Sequence, residues 1–426
     1  MARIIGGIGA SHSPTIGFAL DTNKQNDPAW KPIFDGFDAV RDWVKRKDID
    51  VLFMIYNDHI TSFFFDHYSA FALGIDDRYL AADEGGGPRD VPPAKGHLGL
   101  SQHIGQALVA DEFDMSFFQG KPVDHGLLSP LSMMGDASGP WPGSVVPLQV
   151  GVLQLPIPKA SRMWKLGKTL RKAIESYPED LKVAIFATGG LSHQVHGERA
   201  GFLNEAWDDE FLDLLEKDPE QLTAMRIADY AVKGGMEGAE VIMWLIMRGA
   251  LSEQVKLVHK QTYAPSVTNI ATLVFEDLGA APDAQEVAAY RAHMAHELAG
   301  AETLAGTYPF TQARSQANFR INDFLHRLVI PAHRQRFVED FDALADQFEL
   351  TEEERELIRN RRWIEMIRRG VSFFVLEKMA AVIGVSNPEV YAAFRGETLE
   401  AFLKTRKVPM RYSVAGGAKA DAIDAQ

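Results

Sequence analysis

Over roughly the first 280 residues, short apolar and β-branched runs alternate with stretches whose apolar positions recur at helical spacing. The runs 4–8, 51–56, 148–155, 183–187, 255–259 and 267–275 predict strands, and the stretches near 36–47, 98–110, 161–176, 203–216, 219–230 and 237–249 predict helices. This alternation is the mark of an α/β domain. Between them, the segment 84–96 begins Glu-Gly-Gly-Gly-Pro-Arg-Asp-Val-Pro-Pro. It is too long for a simple connector and reads as a lid.

The pattern changes from about residue 316. Phe324, Leu325 and Leu328, then Phe337, Phe341 and Leu344, recur at helical spacing with no strand-like run among them, so a small all-α domain is expected over 316–411. Thr351 followed by three glutamates, and Ser386 followed by Asn387-Pro388-Glu389, are helix starts, each offering a hydroxyl cap and first-turn acids. Residues 281–315 then form a partly helical connector between a catalytic domain at 1–280 and the helical domain. The Ala-, Gly- and Asp-containing stretch 412–426 is expected to be a disordered tail.

Charge and composition narrow the chemistry. Of the 426 residues, 44 are basic and 58 acidic, a net charge of −14, which disfavours phosphate backbones and anionic membrane surfaces. The segment 316–411 has 16 basic and 15 acidic residues, so the acidic excess belongs to the rest of the chain. The absence of cysteine removes disulfides, thiolate metal sites and cysteine nucleophiles together, leaving nitrogen and oxygen as the available ligands. Met1–Pro14 lacks the pattern of a secretory signal, and the most apolar run, Val241–Met247, is cut short by Arg248. A cytoplasmic protein that binds neither nucleic acid nor membrane is expected.

Three histidines stand just after predicted strands: His12 in Gly9-Ala-Ser-His-Ser-Pro14, His59 in Tyr56-Asn-Asp-His59, and His193 in Thr188-Gly-Gly-Leu-Ser-His193. Ligands of open α/β sheets bind outside the carboxyl ends of the strands, so the three imidazoles are placed to share one crevice. A lone histidine is more often a surface or satisfied core residue, and nine of the other ten, all but His125, are read that way. A metal on two imidazoles calls for a carboxylate, since two histidines and one acid leave iron(II) open positions. Glu240 is the best candidate. It shares a helical face with Met236, Met243, Trp244 and Met247, where an unpaired carboxylate would be costly. Glu237, one turn earlier, is the competing choice, otherwise explained as a first-turn acid on the helix dipole. Asp58 points elsewhere if its segment is still extended. The same donors would also suit zinc and a hydrolase.

These motifs, with Glu237-Gly-Ala-Glu240-Val-Ile-Met-Trp, resemble the type II extradiol dioxygenases of the protocatechuate 4,5-dioxygenase group. The first 280 or so residues resemble the catalytic subunit, and about 316–411, through Leu350-Thr-Glu-Glu-Glu354 and Arg362-Trp-Ile-Glu365, the small helical subunit, here fused into one chain. The resemblance implies a central mixed sheet flanked by helices in the catalytic domain, and Fe(II) held by His12, His59 and Glu240. It makes His193 the catalytic acid/base and His125, in Pro122-Val-Asp-His-Gly126, a further active-site histidine. Asn57 and Thr268 become substrate contacts, although the family's Ser-Asn pair is Val267-Thr268 here. Tyr391 and Tyr412 are hydroxyl-bearing candidates from the helical part. Gallate and O2 are the implied substrates, with 3-O-methylgallate and protocatechuate as alternatives, and the implied assembly is a homodimer.

Overall fold

The computed structural model describes residues 1–408, and the chain divides into two compact units, Met1–Glu297 and a second beginning at Leu298. In the first unit an eight-stranded mixed sheet runs in the order β6-β3-β7-β2-β8-β1-β10-β9. Its strands are β1 (Arg3–Ala10), β2 (Val51–Tyr56), β3 (Phe71–Gly74), β6 (Ser116–Phe118), β7 (Ser144–Val150), β8 (Lys182–Thr188), β9 (Val255–Tyr263) and β10 (Ile270–Asp277). Two-residue strands β4 (Arg78–Tyr79) and β5 (Ala94–Lys95) pair separately.

The centre of the sheet positions the site. β7, β2, β8 and β1 are mutually parallel, whereas β10 runs antiparallel to β1. The carboxyl ends of β2, β8 and β1 and the amino end of β10 therefore meet at one edge.

β2 is buried along its whole length because both faces of the sheet are covered. Val51, Phe53 and Ile55 face a layer that includes α3 (Leu98–Ala110), α5 (Ala160–Glu175) and α9 (Trp244–Ala250). Leu52, Met54 and Tyr56 face α1 (Pro14–Asp21), α2 (Lys31–Lys47) and α4 (His125–Ser132). α1 and α4 are absent from the expected helices because each is only eight residues long and apolar on nearly all sides. The expected helix over 219–230 is two, α7 (Pro219–Ala224) and α8 (Ile227–Gly234), divided at Arg226, whose backbone N–H donates to the side chain of Asp229. Between α8 and α9, α6 (Glu205–Lys217) having preceded them, Glu237–Met243 winds as a 3-10 helix.

α9 lies hard against β1. A Cβ on Gly9 would fall 2.4 Å from the Trp244 ring, a fully buried indole with no room to yield. That close approach sets the depth of Trp244, and so of the 3-10 turn that precedes it.

The first unit extends past residue 280. α10 (Ala284–His296), within the stretch read as a connector, packs back on it: Tyr290 donates to Asp111 at 3.1 Å and Gln106 to the Met294 carbonyl at 3.0 Å. The second unit is helical throughout its described residues, with Ile321, Phe324, Leu328, Leu344, Met366 and Leu376 at its core. The two helix starts read from sequence are both complete capping boxes, Thr351 with Glu354 and Ser386 with Glu389. Among the described residues no helix is long and apolar enough to cross a membrane. The tail 412–426 lies outside the described residues.

Gly9→Ala is expected to destabilise the first unit by about 1–3 kcal/mol through overpacking against Trp244. Urea unfolding of variant and parent measures it, and an unchanged midpoint would contradict the packing constraint.

Candidate metal centre and active site

β1, β2 and β8 each deliver one histidine to the shared edge. His12 follows β1 and is 4 % exposed. His59 follows β2, and His193 follows β8 after a turn through Gly189 and Gly190. Glu240, also 4 % exposed, comes from the 3-10 turn rather than from the regular helix face expected with Met243 and Met247. The tighter winding follows from the backbone beneath it. The Gly238 N–H donates to the His193 carbonyl at 3.1 Å. Gly235 has φ +89°, and a Cβ there would stand 2.1 Å from that same carbonyl oxygen.

One imidazole nitrogen of His12, one of His59 and one carboxylate oxygen of Glu240 lie within 4.8 Å of one another. His12 Nε2 is 3.4 Å from Glu240 Oε1, and the His12 and His59 ring centres are 5.0 Å apart. The arrangement suits a divalent cation. Two imidazole nitrogens and one carboxylate oxygen converge, and among the described residues the buried carboxylate is compensated by a Gly190 N–H at 2.6 Å and the imidazoles. Burial pushes the Glu240 pKa up, but His12, then His193 and His59, more than reverse this and hold it at about 2. Burial lowers that of His12, with Glu240 opposing, so that at neutral pH the imidazole is an unprotonated donor.

Each ring is set by a hydrogen bond on its other nitrogen. His59 donates Nδ1–H to Asp124 Oδ2 at 2.9 Å, and its backbone N–H reaches the same oxygen at 2.7 Å. That leaves Nε2 as the ligating atom. Asn57 Nδ2 lies 3.4 Å from this Nε2, while Asn57 Oδ1 is buried with no partner among the described residues. Burial lowers the pKa of His59, but the hydrogen bond and charge of Asp124 outweigh it and leave it raised. His12 Nδ1 is 2.9 Å from the Thr188 hydroxyl.

His193 is fixed in one tautomer. Its Nδ1–H donates to the Leu191 carbonyl at 2.7 Å, so the free lone pair is on Nε2, 3.9 Å from Glu240 Oε1. The turn that carries it is held by Asp208, a buried carboxylate accepting from the Ser192 N–H, the Ser192 hydroxyl and the Asn269 amide. Thr268 forms an isolated antiparallel bridge with His193, just before β10 begins at Ile270 rather than inside the strand expected from 267. The His125 ring stacks on His59 with centres 4.0 Å apart.

The structure therefore gathers His12, His59, Glu240, His193, His125, Asn57 and Thr268 at one edge of the first unit. Glu237 turns away and accepts from the Val195 N–H and His196 Nδ1. Asp58 is spent on the turn after β2, accepting from the N–H groups of Thr61, Ser62 and Phe63. Tyr391 belongs to the second unit, on the helix Asn387–Arg395, where its ring lies 5.6 Å from Phe373 and 6.0 Å from Phe402. Tyr412 lies outside the described residues.

Asp124, Glu84, Thr188 and Asp208 are absent from the sequence-level reading. Asp124 is the N-cap of α4, its Oδ1 accepting the Gly126 N–H, but that helix is itself not legible in the sequence.

Residues 6–275 match the family described as the catalytic LigB subunit of aromatic ring-opening dioxygenase, and residues 321–407 match the LigA subunit of aromatic-ring-opening dioxygenase LigAB. A protein of Pseudomonas putida named gallate dioxygenase is 60% identical over 337 residues, 79% of this chain and 99% of that protein. A 2,3-dihydroxyphenylpropionate/2,3-dihydroxicinnamic acid 1,2-dioxygenase of Photorhabdus laumondii is 23% identical over 57% of this chain and 86% of its own. Among solved structures, an uncharacterized protein from Escherichia coli K12 matches 64% of this chain and 99% of its own at 12% identity, with a TM-score of 0.41.

Asp124→Ala is expected to lower metal affinity about 10- to 100-fold by releasing the His59 ring. Metal titration of the stripped protein measures this, and wild-type affinity would contradict the assigned role.

Proposed function

The chain belongs to the LigB family of aromatic ring-opening dioxygenases, with a LigA-type unit in the same polypeptide, and on that premise we propose that it is an Fe(II)-dependent extradiol dioxygenase opening the ring of gallate to 4-oxalomesaconate. The observation that carries this reading is the convergence of His12, His59 and Glu240 with Nε2 of His193 beside them, its Nδ1–H held by the Leu191 carbonyl. High identity along nearly the whole of the Pseudomonas gallate dioxygenase supports the choice of substrate.

Iron(II), when bound by His12, His59 and Glu240, would bring the vicinal ring hydroxyls and O2 together and let electrons pass between them. The rest falls to the chain. His193 Nε2 accepts a phenolic proton, because its Nδ1 proton is committed to Leu191, and the resulting imidazolium returns a proton as the O–O bond breaks. Both oxygen atoms end in the product, which therefore contains every atom of gallate and of O2, and no outside reductant is consumed. Asn57 Oδ1, a buried acceptor, takes a ring hydroxyl. Thr268, bridged to His193, offers its hydroxyl to the substrate carboxylate, and His125 borders the ring through its stack on His59. The negative charge of the whole chain does not oppose an anionic substrate, because the cation and the local N–H groups set the potential in the site. A cytoplasmic homodimer is the assembly in which this is expected to operate.

Ferrous-loaded protein is expected to consume one O2 per gallate, and to consume it more slowly with 3-O-methylgallate or protocatechuate, as read by an oxygen electrode with product spectra. A preference for one of the latter two reassigns the substrate, and no uptake with any of the three rejects the reading. His193→Ala should cut kcat on gallate by about 100-fold or more while iron content stays at the wild-type level. Glu240→Gln should lose the iron itself.

A further inference from the structure

Glu84 takes no part in the chemistry above, yet its carboxylate is committed to the site. Oε1 accepts the His125 backbone N–H at 2.9 Å, and Oε2 accepts the His125 Nδ1–H. Asp124 Oδ2 is also within 3.8 Å of that Nδ1, but it is already occupied by both donors of His59. Glu84 is therefore the carboxylate that fixes the His125 proton on Nδ1 and leaves Nε2 free, in a ring stacked on His59.

Glu84 also heads the glycine- and proline-rich segment 84–96. Before it, the Ala82 N–H donates to the Val123 carbonyl and the Val123 N–H to the Leu80 carbonyl. Asp83 Oδ1 draws in the N–H groups of Gly85 and Gly87 at 2.8 and 3.0 Å. Further on, Arg89 pairs with Asp21 on α1 at 2.7 Å and reaches Ser132, the last residue of α4, at 3.4 Å. The segment is thus tied to α1 and to both ends of α4, and its tie to the amino end of α4 is Glu84 on His125. Ion pairs with one exposed partner generally contribute little to stability. Here two donors of one nearly buried residue sit on a single carboxylate, so the contact defines geometry as well as charge.

We propose that Glu84 is a positioning residue: it sets the tautomer and orientation of His125 and fastens the 84–96 segment to it, so that the order of the segment and the setting of the imidazole form one coupled state. The catalytic half of this inference rests on the placement of His125 beside the substrate ring. The coupling itself does not.

The test compares Glu84→Ala, Glu84→Gln, His125→Ala and the Glu84→Ala/His125→Ala double variant. Limited trypsin digestion of metal-free protein follows cleavage after Arg89 by mass, alongside iron content, and kcat and KM for gallate. Glu84→Ala and His125→Ala should each speed cleavage roughly tenfold, with the double variant no faster than either. Glu84→Ala should retain wild-type iron and lose roughly tenfold in kcat, and Glu84→Gln, which keeps an acceptor oxygen, should recover part of both effects. Wild-type cleavage in Glu84→Ala, cleavage unaffected by His125→Ala, or multiplicative effects in the double variant would overturn the proposal. If the parent protein takes up no oxygen with gallate, the functional reading fails, and the cleavage comparison, needing neither metal nor substrate, still decides this one.

Discussion

A carboxylate 4 % exposed among apolar side chains and imidazoles is the constraint on which the rest of the site depends. One backbone N–H at 2.6 Å cannot replace the hydration that Glu240 loses, so positive charge must be gathered around it or a cation brought to it. The fold answers by ending three neighbouring parallel strands at the same edge, each followed by a histidine, and by seating the carboxylate on a turn pressed over that edge. The same need accounts for the outer carboxylates. The Nδ1–H groups of His59, His125 and His193 are held by Asp124, Glu84 and the Leu191 carbonyl in turn, which leaves Nε2 of each ring turned to the other side.

Much of this is legible in the sequence. Strand-end histidines are readable because a strand shows itself by a short apolar run, and the residue after it is located to within a few positions. The choice of Glu240 over Glu237 is readable from its apolar neighbours, although the winding is not: a 3-10 turn imposed by Gly235 and Gly238 against the His193 backbone is a tertiary effect with no periodic trace. Asp124 and Glu84 are hidden for a different reason. They act 65 and 41 residues away along the chain from the histidines they orient, and at that separation sequence offers only a polar residue near a turn.

The second unit shows the opposite balance. Its helix starts are readable because capping is local, with a hydroxyl and a glutamate three residues apart serving each other's backbone N–H groups. What a tyrosine such as Tyr391 does cannot be read locally. In its helix the ring serves packing against Phe373 and Phe402, and packing and recognition draw on the same aromatic residues.

The place of β1 in the sheet has a bearing on how the protein is made. The strand leading to His12 is the earliest of the sheet in chain order, yet its neighbours, β8 and β10, end at residues 188 and 277. From the ribosome onward, an apolar segment with two unpaired edges waits for most of the first unit to be translated. Strands brought together over such distances along the chain also pair slowly. Of the strands in this sheet, the one that leads to His12 is therefore the earliest in the chain and among the last to be enclosed.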